Sequence, residues 1–222
     1  MLRAFSILMM AFASAAACAQ ETIILKGAVD GDAYVSPTGA FRMKIPVLAA
    51  LGGVVTDSDR VVTFRDSFSV QVSVGAFPQD ATQRWELSTR GTKDYLIYFF
   101  TNFVLPDFKS FCPATTLESA GFSADLMDGT LFTYILLPGG SMFNAPRIDG
   151  DTAAAPVAKR GNMIFVRNGF TFVISTELSE RVIQGKAFAK TTAEEDKILR
   201  DRLVDIVSKI EFAKPPAAKP AP

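Results

Sequence analysis

Histidine does not occur anywhere in the chain. Its absence removes the side chain whose ordinary pKa lies closest to neutrality. With it go Ser-His-Asp and Cys-His nucleophile activation and imidazole-ligated zinc or haem. Cysteine is nearly as scarce, with two among 222 residues, Cys18 and Cys112. Cys18 falls in the leader described below, so the mature chain has no Cys-x-x-Cys redox pair, thiolate cluster or internal disulfide. Hydrophobic burial alone must hold the fold. Neither sign of charge is in excess: 23 basic and 23 acidic residues are scattered without a block of one sign. Nothing in that pattern points to nucleic acid. Beyond the first residues no apolar run is long enough to span a bilayer.

Short motifs exclude more than they offer. Asp30-Gly31-Asp32 and Asp149-Gly150-Asp151 lack the further acidic ligands and closing Glu of a calcium loop, and read as turn chemistry. Gly139-Gly140-Ser141 is followed by no Lys-Ser/Thr, so it is no phosphate loop. Cys112, between Phe111 and Pro113, reads as a small buried hydrophobe in preference to a reactive thiol. Catalytic, metal-binding and cofactor-binding residues are expected to be absent, and no cofactor is implied.

What the chain does have begins with a leader. Met1-Leu2-Arg3 is a short positive start, Phe5–Phe12 is apolar, and Ala13–Ala19 is a run of small residues, which together form a secretory signal peptide. Two processing routes are open. Cleavage after Ala17-Cys18-Ala19 leaves a soluble protein starting at Gln20, periplasmic or secreted. Ala15-Ala16-Ala17-Cys18 also resembles a loose lipobox, which makes Cys18 a candidate lipidation site and the protein an outer-membrane lipoprotein. Only that second route gives it a membrane attachment. After residues 20–33, one domain is expected over Tyr34–Phe212, followed by a Pro/Ala/Lys tail, Ala213–Pro222, of extended, solvated character.

The strongest structural signal is Met163–Ser175, two apolar runs joined by Asn168-Gly169, the pair that best tolerates a type I′ turn. Counting outward pairs Phe165 with Phe172, Ile164 with Val173 and Met163 with Ile174. One face then carries Phe165, Phe172, Met163 and Ile174, and the other Ile164, Val166 and Val173. A hairpin apolar on both faces belongs in a sheet covered on both sides. Further hairpins are expected around Asp66-Ser67, with Phe68, Val70, Val72 and Val74 facing one way, and around Asp128-Gly129 as a two-residue turn. Thr22–Lys26 reads as a first edge strand, and Phe41, Met43 and Ile45 alternate with Arg42 and Lys44 up to Pro46 as another strand.

Helices are marked by period and caps. Leu96, Phe99, Phe100 and Phe103 recur at helical spacing beside Tyr95 and Tyr98, with Thr92 as N-cap and Pro106 closing the segment. These aromatics are read as core in preference to a ligand pocket. Asp80–Arg90 reads as helix or loop around Trp85. Thr191 with Glu194 and Thr192 with Glu195 form overlapping capping boxes, after which Leu199, Leu203, Ile206 and Ile210 follow one helical face into a short strand at Glu211-Phe212. The least regular stretch is Pro138–Arg160, where Phe143 and Arg147 are the candidate interaction residues on a long loop. Hairpins and helices combine into an α+β fold, an antiparallel sheet covered by helices on both faces, an α/β/α sandwich.

The order of elements resembles the PsbP-like family, the superfamily of the photosystem II extrinsic protein. The residues that carry the resemblance are Tyr34-Val35 with Gly39-x-Phe41 leading to Ile45-Pro46, Phe99–Pro106 (FFTNFVLP), Arg160-Gly161 at the start of the late hairpin, and the closing helix into Ile210-Glu211-Phe212. The resemblance implies an α/β/α sandwich serving as a binding or assembly module of a bacterial envelope, not an enzyme, and it brings no site residue with it. Three function classes follow. A module binding a protein partner or the envelope surface needs an exposed patch. A carrier of an apolar ligand needs an enclosed Phe-lined cavity of roughly 300–1,000 Å³. A His-free hydrolase needs convergent carboxylates or a Ser-Lys pair in a cleft.

Overall fold

The computed structural model describes residues 25–141 and 157–213, which form a mixed α+β fold with two antiparallel sheets. The larger sheet has seven strands in the order β4 (Val54–Asp57), β5 (Val61–Arg65), β6 (Gln71–Pro78), β10 (Phe170–Glu177), β9 (Val157–Arg167), β8 (Thr130–Pro138), β7 (Thr116–Ser123). The smaller runs β1 (Ala28–Asp30), β2 (Ala33–Val35), β3 (Phe41–Lys44), β11 (Ile210–Phe212). Helices α1 (Ala81–Arg90), α2 (Thr92–Phe99) and α3 (Leu105–Phe111) lie between β6 and β7 in the chain, while α4 (Ser179–Gln184) and α5 (Thr192–Ser208) follow β10.

The β9–β10 hairpin sits near the middle of the large sheet in the register counted from its turn, with Phe165 opposite Phe172, Ile164 opposite Val173 and Met163 opposite Ile174. Asn168 and Gly169 take φ of 52° and 80°, as a type I′ turn requires. Each face feeds its own core. Phe165, Phe172, Met163 and Ile174 pack with Tyr34, Phe41 and Ile210 of the small sheet and with Leu199, Leu203 and Val207 of α5. Ile164 and Val173 pack on the other side with Tyr95, Leu96, Phe99 and Phe100, and with Val182 of α4. The sheet is therefore covered on both faces. One cover is shared between α5 and the small sheet, a second layer that the sequence reading did not separate from the first. Asp57 joins the two sheets, its carboxylate accepting from the Lys26 and Gly27 amides and from the Tyr34 hydroxyl at 2.7–2.8 Å.

Local chemistry explains where several elements depart from expectation. The helix does not stop at Pro106. It widens into a π-helical turn, Phe100–Val104, where the Leu105 amide reaches back to Phe100 O, and it continues as α3. Pro106 has no N–H for the carbonyl four residues before it, and the wider turn accommodates that loss. Thr92 does not cap α2: Gly91, at φ 76°, holds that position without a side-chain bond. The β7–β8 ladder ends at Ser123 opposite Thr130, so residues 124–129 make a six-residue connection in place of a two-residue turn. Leu126 and Met127 fold back from it onto the core. The Asp66 turn spans 66–70, because Asp66 Oδ1 gathers the amides of Phe68, Ser69 and Val70, and this leaves Phe68 exposed instead of in line with Val72 and Val74. The first strand starts at Ala28, after Lys26, and Thr22–Ile24 fall outside the described residues.

The largest correction concerns Pro138–Arg160. Strand β9 begins at Val157, paired with Pro138, so Val157–Arg160 belong to the sheet. Two adjacent basic residues disguise this strand. Lys159 is 0 % exposed, its ammonium 2.5 Å from Glu118, 3.0 Å from Glu195 and 2.7 Å from Asp196. A buried lysine is tolerable only with such partners, and the partners arrive from β7 and α5, far away in sequence. Burial opposes the ammonium, yet the carboxylates outweigh it and hold Lys159 above its usual range.

Candidate functional site

The helices α1–α3 do not cover their whole face of the large sheet. Helix α2 lies over β8 and β9, and part of the floor formed by β5, β6 and β10 stays open. Between the helices and the β4–β5 turn lies a cleft of about 660 Å³, open to solvent along one side. Its wall is aromatic: Phe99 and Phe103 from the widened helix, Phe108 from α3, and Phe77 at the end of β6. Phe99 and Phe103 stand 5.2 Å apart between ring centroids, and Phe77 meets Phe99 edge-on at 5.8 Å. The π turn presents Phe103 here at 46 % exposure, whereas Phe99 and Phe100 remain core. The aromatic run is thus core at Phe99 and Phe100 and cleft wall at Phe103.

The floor is polar, and the ladder registers show why. Thr63 opposes Ser73, Ser73 opposes Ser175, Ser175 opposes Asn162, and Asn162 opposes Thr133. One cross-strand row of hydroxyls and an amide thus runs over five neighbouring strands, β5-β6-β10-β9-β8. Thr63 Oγ1 and Ser73 Oγ share a hydrogen bond of 3.0 Å, Ser175 Oγ donates to Asn162 Oδ1 at 2.8 Å, and Asn162 Nδ2 donates to Thr133 Oγ1 at 3.2 Å. Strand centres are ordinarily apolar, so this row is a departure from what packing alone requires.

Beside the row, Arg160 of β9 opposes Glu177 of β10. Arg160 lines the cleft at 7 % exposure. It donates from Nη2 to Glu177 Oε2 at 3.3 Å, and the Phe108 ring lies over its guanidinium at 5.3 Å. Its Nε is buried and has no hydrogen-bond partner among the described residues. Burial pulls the guanidinium below its usual range, with Glu177 opposing. Glu177 also accepts from Ser141 Oγ at 2.6 Å. Asp59, Arg60 and Asp107 stand among the residues lining the cleft.

A second cleft, about 640 Å³, lies between Ile45, Pro46 and Val70 and the α5 residues Arg202 and Ile206. Its charges are already paired with one another, Arg202 with Glu180 and Lys209 with Asp205, which leaves it less to offer a ligand.

Of the residues expected from sequence, Cys18, Phe143 and Arg147 lie outside the described residues, as does Asp149-Gly150-Asp151. Cys112 is buried, with Sγ 3.4 Å from Pro138 O. Asp30-Gly31-Asp32 is the β1–β2 turn, with Asp30 bridging Arg42 and Asp32 bridging Lys44. The sequence reading missed Arg160, Glu177 and the polar row. Their signal was available: continuing the hairpin count outward from Met163–Ile174 sets Asn162 against Ser175 and Arg160 against Glu177.

No protein-family model matches the chain, and no curated protein matches it. Several solved structures are similar in overall path. The Ran-binding protein Mog1p of Saccharomyces cerevisiae aligns over 83 % of this chain and 96 % of its own at 10 % identity and TM-score 0.46. Cyanobacterial PsbP (CyanoP) from Synechocystis aligns over 84 % and 98 % at 12 % identity and TM-score 0.44. A protein from Bacteroides thetaiotaomicron aligns over 84 % of this chain and 50 % of its own at 12 % identity and TM-score 0.37. Likeness at this level carries no argument about the cleft.

Proposed function

We propose that the chain is a non-enzymatic binding module, exported to the cell envelope, that holds an extended segment of a partner protein in the cleft between α2–α3 and strands β5, β6 and β10. The observation that carries this reading is the cleft's form: open along one side, with an aromatic wall and a hydrogen-bonding floor. A peptide offers both surfaces, side chains for the wall and backbone amides and carbonyls for the floor. Chemistry is disfavoured by the charge state of the buried lysine: Lys159 is held as an ammonium by three carboxylates and cannot serve as a base. Export is supported by the leader in residues 1–19. Phe143 and Arg147 remain candidate interaction residues. Replacing residues 142–156 by a Gly-Ser linker tests whether they contribute.

The second reading is a carrier of an apolar small molecule, which the four Phe residues and a volume inside the range of small-molecule sites favour. Selecting peptides from a random library on the purified protein, then mapping a selected peptide by amide chemical shifts, separates the two. A partner-binding module yields peptides that shift Thr63, Ser73, Ser175 and Phe103 and that lose binding in Phe103→Glu. If selection returns no peptide while laurate shifts those residues, the module reading is wrong and the carrier reading replaces it.

A further inference from the structure

We infer that the cleft reads a carboxylate, with Arg160 as the residue that receives it; this rests on the partner-segment reading above and specifies the segment as one presenting an acidic side chain or chain end beside apolar residues. A guanidinium has five N–H donors in a planar fork. Arg160 spends one on Glu177, and its Nε is left without a partner in a site only 7 % exposed. A buried donor without an acceptor is costly, and native interiors seldom leave one. Glu177 does not remove the deficit, since it meets one end of the fork at 3.3 Å and accepts at 2.6 Å from Ser141 as well. Arg160 is part of the cleft wall, so an acceptor for its spare donors is one that enters from solvent.

The surroundings narrow the chemistry. Asp59 and Asp107 also line the cleft, with Arg60 beside them, so its overall field is mixed and a multiply charged anion such as a phosphate dianion is disfavoured there. A monoanion suits one buried fork, and carboxylate matches its planar geometry. Ser175 already donates to Asn162, so the second oxygen is left to the hydroxyl proton of whichever of Thr63 and Ser73 does not donate to the other. The Phe wall then takes the apolar body that carries the carboxylate. A lone surface arginine would not support this; a nine-tenths buried one in a cavity wall, with an idle donor, does.

The test uses matched probes on the full mature chain: 3-phenylpropanoate and 3-phenylpropanamide, and a library-selected peptide with its acidic residue as Asp or as Asn. Binding is followed by amide shifts at Ser73, Ser175 and Phe103. The acid of each pair is expected to bind at least about tenfold more tightly than its neutral form, as a charge-assisted bond to a desolvated fork implies. That preference should vanish in Arg160→Gln/Glu177→Gln, which removes both charges together and avoids stranding Glu177. Because the acid-against-amide comparison is made first on the unaltered protein, a variant that fails to fold does not spoil it. Equal affinity of acid and amide overturns the inference, while peptides that still map to the cleft leave the module reading standing. Laurate displacing every peptide, with the acid preference intact, supports Arg160 as the carboxylate receiver and overturns the partner segment instead.

Discussion

Replacing Phe172 by alanine should remove much of this protein's stability, and the size of the loss follows from its neighbours. Phe172 is 1 % exposed and Phe165, directly opposite, 0 %. Their rings are stacked at 5.4 Å with 14° between planes, and Phe212 of β11 meets Phe172 edge-on at 5.0 Å, as Phe41 of β3 does at 6.4 Å. One ring therefore pins the small sheet to the large one. A buried Phe→Ala change costs about 3–5 kcal/mol, and the several ring contacts, each about 0.5–1.5 kcal/mol beyond area, put Phe172→Ala in the upper half of that range. For a domain of this size such a loss lowers Tm by roughly 8–20 °C. Urea unfolding should be followed by far-UV circular dichroism, since Trp85 is 61 % exposed on α1 and would report little. The double mutant with Phe165→Ala should fall short of the summed single losses by about 0.5–1.5 kcal/mol. A Phe172→Ala loss under about 1.5 kcal/mol, or a cycle that closes to zero, would refute the claim that this pair holds the two sheets together.

Three other outcomes are expected. Lys159→Ala removes the cation shared by Glu118, Glu195 and Asp196, leaving only Arg181 on Glu195 among the described residues, and should cost about 3 kcal/mol at pH 7. Because the folded pKa of Lys159 lies above its unfolded value, its contribution is full below the unfolded pKa and is lost as pH rises through the folded one. Urea midpoints measured upward from pH 9 should therefore fall more steeply in wild type than in Lys159→Ala, and parallel curves contradict the network. Burial raises the Asp66 carboxyl, but three backbone amides more than offset this and hold it below the usual range. Its stabilisation is thus present above the unfolded pKa and lost as pH falls through the lower folded value. Asp66→Asn should flatten the acid limb of stability below about pH 4, and an unchanged limb counts against the assignment. Mass spectrometry of the natural protein should find either an N-terminal Gln20 or an acylated Cys18; an intact Met1 in the cytosol contradicts both export routes.

The legible parts were those whose physics is local. The Asn168-Gly169 turn dictates its own register, and alternation from that turn assigns Phe165 and Ile164 to opposite faces before any partner is known. The Thr191–Glu194 capping box likewise starts α5, and Leu199 and Leu203 mark its buried side, but Ile206 is only half-buried beside the buried Val207, and Ile210 has left the helix for β11. Two-sided apolarity then demands cover on both faces, which is the α+β sandwich observed. Where local chemistry misled, a longer-range partner had intervened. Pro106 reads as a stop, but the packing of Phe99 and Phe100 on one side and Phe108 on the other carries the helix through it as a π turn.

The sequence by itself settled the absence of histidine chemistry, the central hairpin with its two faces, and the closing helix, because composition and short-range periodicity suffice for these. Tertiary structure alone decided the rest. Lys159 and Arg160 are adjacent and look alike in the chain, yet sheet alternation sends them to opposite faces. Lys159 meets three carboxylates from β7 and α5, while Arg160 meets a single Glu and an open cleft. The polar row exists only when five strands, the farthest more than a hundred residues apart in the chain, align in register. No window of sequence contains it, because hydrogen-bonded ladders, not chain neighbours, bring Thr63, Ser73, Ser175, Asn162 and Thr133 into one line.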